Sequence, residues 1–133
     1  ESAQRLRRIP GVGPIVAAHL VQVLTRIPFA SGDAFIAHTG TDPRPNDSGQ
    51  KRGRRRISHH GDSTLRQMLF MAAMAAIKQP EWHHLYDRYR QRGLPSTGAL
   101  VACARKLARI AWHMFKNPDA DYDAARVIGA VSA

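Results

Sequence analysis

Apolar residues cover nearly every side of a helix predicted to begin after Asp62. They recur at three- and four-residue steps, with four alanines among them, and are Leu65, Met68, Leu69, Phe70, Met71, Met74 and Ile77. A helix that is apolar all round is stable only inside a core. The segment therefore predicts a buried central helix that ends before Pro80, with other helices packed around it.

Two helices are predicted before this segment. Gly11 and Gly13 form a tight turn, and the proline that follows suits a first helical position, so a helix is expected over about 14–24. Ser31 is expected to cap a short helix that ends near Gly40.

Two further helices are predicted after it. The first covers 81–92, ends at Gly93, and has one apolar face formed by Trp82, Leu85, Tyr86 and Tyr89. Ser96 is expected to cap a long last helix that stops at Asn117-Pro118. Its inward face is expected to consist of Leu100, Ala104 or Cys103, Leu107, Ala111 or Ile110, and Met114. The tail from Asp119 onward is expected to be loosely held.

These patterns predict an all-α fold, a small helical domain with three parts. A helix-hairpin-helix motif is expected over about 1–26, a long basic loop over about 41–61, and a helical core over 62–117. The loop is rich in proline and glycine and has no sustained period, although it could include a short hairpin.

Charge and length narrow the class of protein. The chain has 133 residues, which suits a single domain, and a net charge of +10, which favours nucleic acid as the partner. The single cysteine cannot form an internal disulfide, and no apolar run could span a membrane, so a cytoplasmic protein is expected. The chain has no initiator methionine, and we expect it to be part of a longer protein.

The turn before the first long helix is a candidate phosphate site. Glycine lets a backbone approach a ligand closely, and the free amides and dipole of a helix N-terminus attract anions. Contacts to a DNA phosphate are therefore predicted for Gly11, Val12, Gly13 and Ile15. The alternative is an ordinary turn between two helices.

The predicted loop is the second candidate. It holds six cations within 13 residues, namely Arg44, Lys51, Arg52, Arg54, Arg55 and Arg56, followed by His59 and His60. The positive charges of these residues repel one another, which does not stabilise a packed fold. A polyanionic ligand would offset the repulsion, so these residues are predicted to bind nucleic acid. The alternative is a solvated loop that binds nucleic acid without specificity.

Ser48 lies within this basic run. A serine hydroxyl beside several guanidinium groups could attack a phosphodiester, because the arginines can neutralise charge that grows on the phosphoryl oxygens. His59 and His60 are candidate bases, and the alternative is that Ser48 only forms a turn.

Arg105 and Arg109 begin a basic stripe on the last long helix, continued by His113 and Lys116. They are candidate nucleic-acid contacts, and the alternative is a solvated face. No metal site is predicted. The acidic run at 119–123 resembles the start of a calcium loop but has alanine where that loop needs glycine and glutamate, at Ala124 and Ala130.

Several short motifs occur in the order found in one family. They are Ile9-Pro10-Gly11-Val12-Gly13, Phe29-Ala30-Ser31, Ala37-His38-Thr39-Gly40, Pro43-Arg44, Ser48-Gly49, Ile57-Ser58, Gly61-Asp62, Leu65-Arg66 and Arg105-Lys106-Leu107. The chain resembles the C-terminal domain of insertion-sequence transposases of the IS110 and IS116 type, which are relatives of the Piv DNA invertases. The resemblance covers essentially the whole chain.

The resemblance implies a function in DNA recombination. Ser48 matches the serine of the family's Ser-Gly element and is implied to be the nucleophile for strand cleavage and exchange. An N-terminal RuvC-like domain, absent from this chain, is implied to bind Mg²⁺, so no cofactor is expected in the chain itself. A guide (bridge) RNA, DNA and self-association of the full-length protein are implied partners. The rival interpretations are a non-catalytic helix-hairpin-helix module that binds nucleic acid, and a purely structural role.

Overall fold

The computed structural model describes residues 2–41 and 62–132. These residues form seven helices and no strand, so the predicted all-α class is confirmed for the part described. In chain order the helices are α1 (Ser2–Leu6), α2 (Pro14–Arg26), α3 (Gly32–Thr39), α4 (Ser63–Ala76), α5 (Pro80–Gln91), α6 (Ser96–Lys116) and α7 (Ala124–Ser132). The short hairpin that residues 42–61 could include lies outside the described residues.

The central helix is α6, and the prediction that the helix after Asp62 would be central is wrong. Helix α6 packs against each of α1 to α5. Small side chains such as Ala104, Ala108 and Ala111 are fully buried along it, and they let neighbouring helices approach closely. Helix α4 buries one face only, since Met71 and Met74 are 59% and 46% exposed.

The ends of α3 follow the local sequence signals. Ser31 Oγ accepts a hydrogen bond from the Ala34 N–H at 3.1 Å, which satisfies one free amide of the first turn. Gly40 ends the helix in the left-handed region with φ of 77°. The predicted cap at Ser96 is wrong, because α6 already begins there. Pro95 is the N-cap residue in extended conformation, and no side chain caps this helix.

The C-terminal segment is held firmly, contrary to the prediction of a loose tail. Arg5 Nη1 donates to the carbonyl of Met114 at 2.7 Å and to that of Ala120 at 3.3 Å. The Tyr122 hydroxyl accepts a hydrogen bond from Trp82 Nε1 at 2.9 Å. Val127 of α7 is fully buried, so the hydrophobic core extends beyond the predicted 62–117 region.

Candidate nucleic-acid interface

The turn between α1 and α2 has an inner side that packs on α4. Gly11 adopts φ of 86°, and a Cβ atom there would lie 2.1 Å from the carbonyl oxygen of Ala72. Val12 is only 5% exposed and belongs to the core. Glycine at position 11 is therefore required by helix packing as well as by backbone conformation.

The outer side of the same turn faces solvent. A Cβ atom at Gly13 would meet nothing within 4 Å, and Ile15 is 73% exposed. Gly13 is the N-cap residue of α2, and no side chain caps the helix. Of the four residues predicted to contact phosphate here, Gly13 and Ile15 therefore lie at an accessible helix N-terminus, whereas the Val12 side chain points into the core.

The described residues on either side of the basic segment lie close together. The Asp62 N–H donates to the His38 carbonyl at 2.9 Å, which ties the start of α4 to the end of α3. Thr41 and Thr39 are buried, and their hydroxyl oxygens are 2.7 Å apart. Both ends of the segment are thus fixed to the helical core. The predicted nucleophile and the other loop candidates lie outside the described residues, namely Ser48, Arg44, Lys51, Arg52, Arg54, Arg55, Arg56, His59 and His60.

Asp62 joins three helices at this point. Its Oδ1 accepts a hydrogen bond from the Leu65 N–H at 3.0 Å and so caps α4, while its Oδ2 lies 3.1 Å from His19 Nε2 of α2. Burial by itself would raise the pKa of Asp62. The hydrogen bonds from Leu65 and His19, with the charges of His19 and His38, outweigh burial and hold that pKa below its usual value.

Basic side chains surround the two ends of the segment. Arg105 Nε donates to the Thr41 carbonyl at 2.9 Å, so this predicted contact residue also fixes the point where the chain leaves α3. The Arg66 side chain lies over Gly40, where a Cβ atom would come within 2.9 Å of its Cδ. With His19 and His38, these residues form a basic rim (His19, His38, Arg66 and Arg105).

The sequence interpretation missed three members of the basic rim. His19, His38 and Arg66 belong to three different helices, so no spacing along the chain indicates that they meet. The signal that was available is the Leu65-Arg66 motif, which places a cation four residues after the capping Asp62.

Arg109 lies further along α6. Its Nη2 is 3.0 Å from Asp33 Oδ1, and both side chains are largely exposed, so water screens this ion pair. Next to it, Trp112 stacks on Phe35 with the ring centroids 5.9 Å apart, and Lys116 Nζ lies 5.1 Å from the centre of the Trp112 ring. The residues of the predicted basic stripe therefore have both aromatic and acidic side chains next to them.

The single cysteine, Cys103, is buried. Burial raises the pKa of the Cys103 thiol to about 12, so it is a poor nucleophile. Within residues 2–41 and 62–128, no three His, Cys, Asp or Glu side chains are grouped so as to hold a metal ion.

None of the described helices has the length and apolar composition needed to cross a membrane.

Comparison with known proteins identifies the family. Residues 3–87 match the model of the Transposase IS116/IS110/IS902 family. The chain is 37% identical over 117 residues to the transposase for insertion sequence element IS1328 of Yersinia enterocolitica, with 84% of this chain and 35% of that protein aligned. It is 27% identical over 119 residues to a 44.8 kDa protein of insertion element IS116 from Streptomyces clavuligerus, which covers 88% of this chain and 30% of the relative.

A 42 kDa protein of insertion element IS900 from Mycobacterium paratuberculosis is 29% identical over 118 residues, covering 86% of this chain and 30% of the relative. The chain thus spans about a third of the length of these relatives. Because the family model matches most of the sequence, the chain belongs to the Transposase IS116/IS110/IS902 family.

Proposed function

We propose that this chain is the part of a transposase that binds nucleic acid and supplies Ser48 as the nucleophile for DNA strand cleavage and exchange. The family supports a role in transposition. The observation that carries the assignment of a site is the hydrogen bond between Asp62 and His38, which brings the two ends of the serine-bearing segment together beside the basic rim. A guide RNA and a second copy of the full-length protein are proposed as further partners.

The proposed reaction keeps the energy of the broken phosphodiester bond in a covalent link between the DNA phosphate and a serine. The Ser48 oxygen forms a bond to phosphorus, its proton passes to a base such as His59 or His60, and the bond from phosphorus to the DNA 3′ oxygen breaks. The released 3′ oxygen takes up a proton. A 3′-hydroxyl of the strand to be joined then attacks the phosphorus of the phosphoserine and loses its proton to a base. The bond from phosphorus to the Ser48 oxygen breaks, that oxygen takes up a proton, and the new phosphodiester is formed. Mg²⁺ held by another domain would polarise the phosphate.

Two groups of described residues would bind the DNA backbone. The backbone N–H groups of Gly13 and Ile15 lie at the uncapped start of α2, where they can donate to one phosphate. Arg66 and Arg105, at the ends of the segment, can neutralise charge on a phosphate near Ser48, with Arg44 and the Lys51–Arg56 cations. These contacts would position the DNA without reading its bases.

A covalent trap tests the proposal. A protein of the full length of the relatives, carrying this sequence, is incubated with nicked or suicide DNA substrates, and the phosphoserine adduct is measured on denaturing gels and by mass spectrometry. Ser48→Ala is expected to abolish the adduct and leave DNA binding nearly unchanged. Ser63→Ala is the matched control, because Ser63 is an exposed serine at the start of α4.

The rival function is a module that binds nucleic acid without chemistry. It predicts that no adduct forms with the original protein, with Ser48→Ala or with Ser63→Ala, while all three proteins bind DNA. An adduct that persists in Ser48→Ala would overturn the assignment of the nucleophile.

A further inference from the structure

A surface pocket of about 220 Å³ lies between α6 and the segment that leads into α7. Lys106, Arg109, Ile110 and His113 line it from one face of α6, and Arg126 lines it from α7. Met114 is buried and forms part of an apolar floor with Ile110. The pocket, named here the α6–α7 pocket, is separate from the basic rim at the ends of segment 42–61.

Two of its cations have no acidic partner among the residues that the structure describes. Lys106 forms no hydrogen bond or ion pair there, and Arg126 Nη1 contacts only the Nε2 atom of His113, at 3.2 Å. Lys106 and Arg126 therefore form no ion pair within this part of the chain.

The two carboxylates at the pocket are engaged elsewhere. Asp121 Oδ2 pairs with Arg8 Nη1 at 2.7 Å, and its Oδ1 accepts the Tyr122 N–H at 2.7 Å. Asp123 Oδ1 accepts the Ala125 N–H at 3.0 Å, in the first turn of α7. Neither one forms an ion pair with Lys106 or Arg126.

We propose that the α6–α7 pocket binds a phosphate group of a nucleic-acid backbone, held by Lys106 and Arg126 with Arg109 at its edge. Like charges held together beside an apolar floor repel one another, and a bound anion would offset that repulsion. Burial and the charges of Arg109 and Arg126 lower the pKa of the Lys106 ammonium, which is the direction expected where cations lie close together. The pocket would give the protein a second anchoring point on its substrate.

The size and chemistry of the pocket favour this ligand. Three basic side chains line the pocket beside two carboxylates that are bonded to other groups, and its volume admits no more than a phosphate with a short stretch of backbone. The identity of the ligand as nucleic acid rests on the proposed function, whereas the binding of phosphate does not.

The first experiment uses inorganic phosphate and the 133-residue chain. Lysines are labelled by reductive ¹³C-methylation, and the Lys106 signal is followed by NMR during a phosphate titration. Phosphate is expected to shift this signal and to raise the pKa of Lys106, and Lys106→Gln with Arg126→Gln is expected to weaken binding by about tenfold or more. Lys78→Gln is the control, since Lys78 is exposed and does not line the pocket. An unmoved Lys106 signal would overturn the proposal.

The second experiment uses a fluorescent duplex oligonucleotide and an RNA hairpin. The Lys106→Gln/Arg126→Gln protein is expected to bind both more weakly, with a logarithmic salt dependence reduced by about 1 for each lost phosphate contact. Equal affinity and slope for this variant and Lys78→Gln would overturn the assignment to a nucleic-acid phosphate. Ser48→Ala is expected to bind like the original protein, so failure of the serine chemistry and failure of the pocket are distinguishable.

Discussion

Asp62 Oδ2 lies 3.1 Å from Nε2 of His19, which links the N-cap of α4 to the middle of α2. The same residue caps α4 with its side chain and donates its backbone N–H to the end of α3. Three helices therefore depend on one aspartate at the point where the chain returns from the basic segment.

Replacing Asp62 by alanine is expected to destabilise the fold. Loss of an N-cap side chain costs about 1 kcal/mol, within a range of roughly 0.5–2. Urea unfolding at neutral pH measures the change. Ser63→Ala is the matched control, because that neighbouring side chain is exposed and no capping bond involves it. Equal stability of the two variants would contradict the role given to Asp62.

The effect of Asp62→Ala is also expected to depend on pH. The pKa of Asp62 is lower in the folded protein than the ordinary value of 3.8. Its carboxylate therefore stabilises the fold fully only at a pH above 3.8. The contribution is lost as the pH falls through the folded pKa. The difference in unfolding free energy between the original protein and Asp62→Ala should therefore shrink between about pH 5 and pH 2. A constant difference over this range would contradict the assignment.

The two glycines of the first turn are expected to respond differently to alanine. Gly11→Ala places a side chain 2.1 Å from the Ala72 carbonyl oxygen and in a left-handed conformation, which alone costs about 1–2 kcal/mol. A total loss above about 2 kcal/mol is expected in urea unfolding. Gly13→Ala meets no atom and has an ordinary φ of −90°, so its stability should change by less than about 1 kcal/mol. Similar losses of unfolding free energy in both variants would contradict the assignment of Gly11 to the packed side of the turn and of Gly13 to its solvent-facing side.

Local sequence signals were sufficient to predict that the chain is helical and where several of its helices end. Ser31 and Gly40 bound α3 because capping and left-handed glycine are properties of neighbouring residues. Such local signals could not predict which helix lies at the centre of the fold. Met71 and Met74 are apolar but exposed, whereas α6 is central because its alanines admit close neighbours. Burial depends on which helices meet, and a single helical pattern does not contain that information.

Contacts between distant residues explain the remaining errors. The C-terminal segment begins with three aspartates in the five residues 119–123, yet Arg5 holds it through the Ala120 carbonyl, from 115 residues away along the chain. The basic rim was missed for the same reason. The sequence interpretation assigned Gly11 to a tight turn that approaches a phosphate, whereas the atom that approaches Gly11 in the fold is the carbonyl oxygen of Ala72 in α4, which the sequence could not reveal.

Lys106→Met is expected to stabilise the folded chain at neutral pH. The charged lysine is partly buried and repelled by Arg109 and Arg126, and a methionine of similar length removes that penalty. Because the site is open to solvent, the gain should not exceed about 1 kcal/mol. A lowered lysine pKa means that deprotonation relieves the penalty as the pH rises, so the gain should disappear towards pH 10.5, the ordinary value. Urea unfolding of Lys106→Met and Lys78→Met across this range measures it, and an equal gain in both would contradict the explanation.

Tyr122→Phe tests whether the C-terminal segment is part of the fold. The Tyr122 hydroxyl donates to the Glu81 carboxylate and accepts from Trp82 Nε1, so its removal leaves a buried indole N–H without that acceptor. A loss of about 1–3 kcal/mol is expected, with faster hydrogen exchange in α7. Tyr86→Phe is the matched control on α5, because Tyr86 is partly buried and its hydroxyl forms no hydrogen bond within the described residues. If the segment were loosely attached, the two variants would unfold alike, and α7 would already exchange rapidly in the original protein.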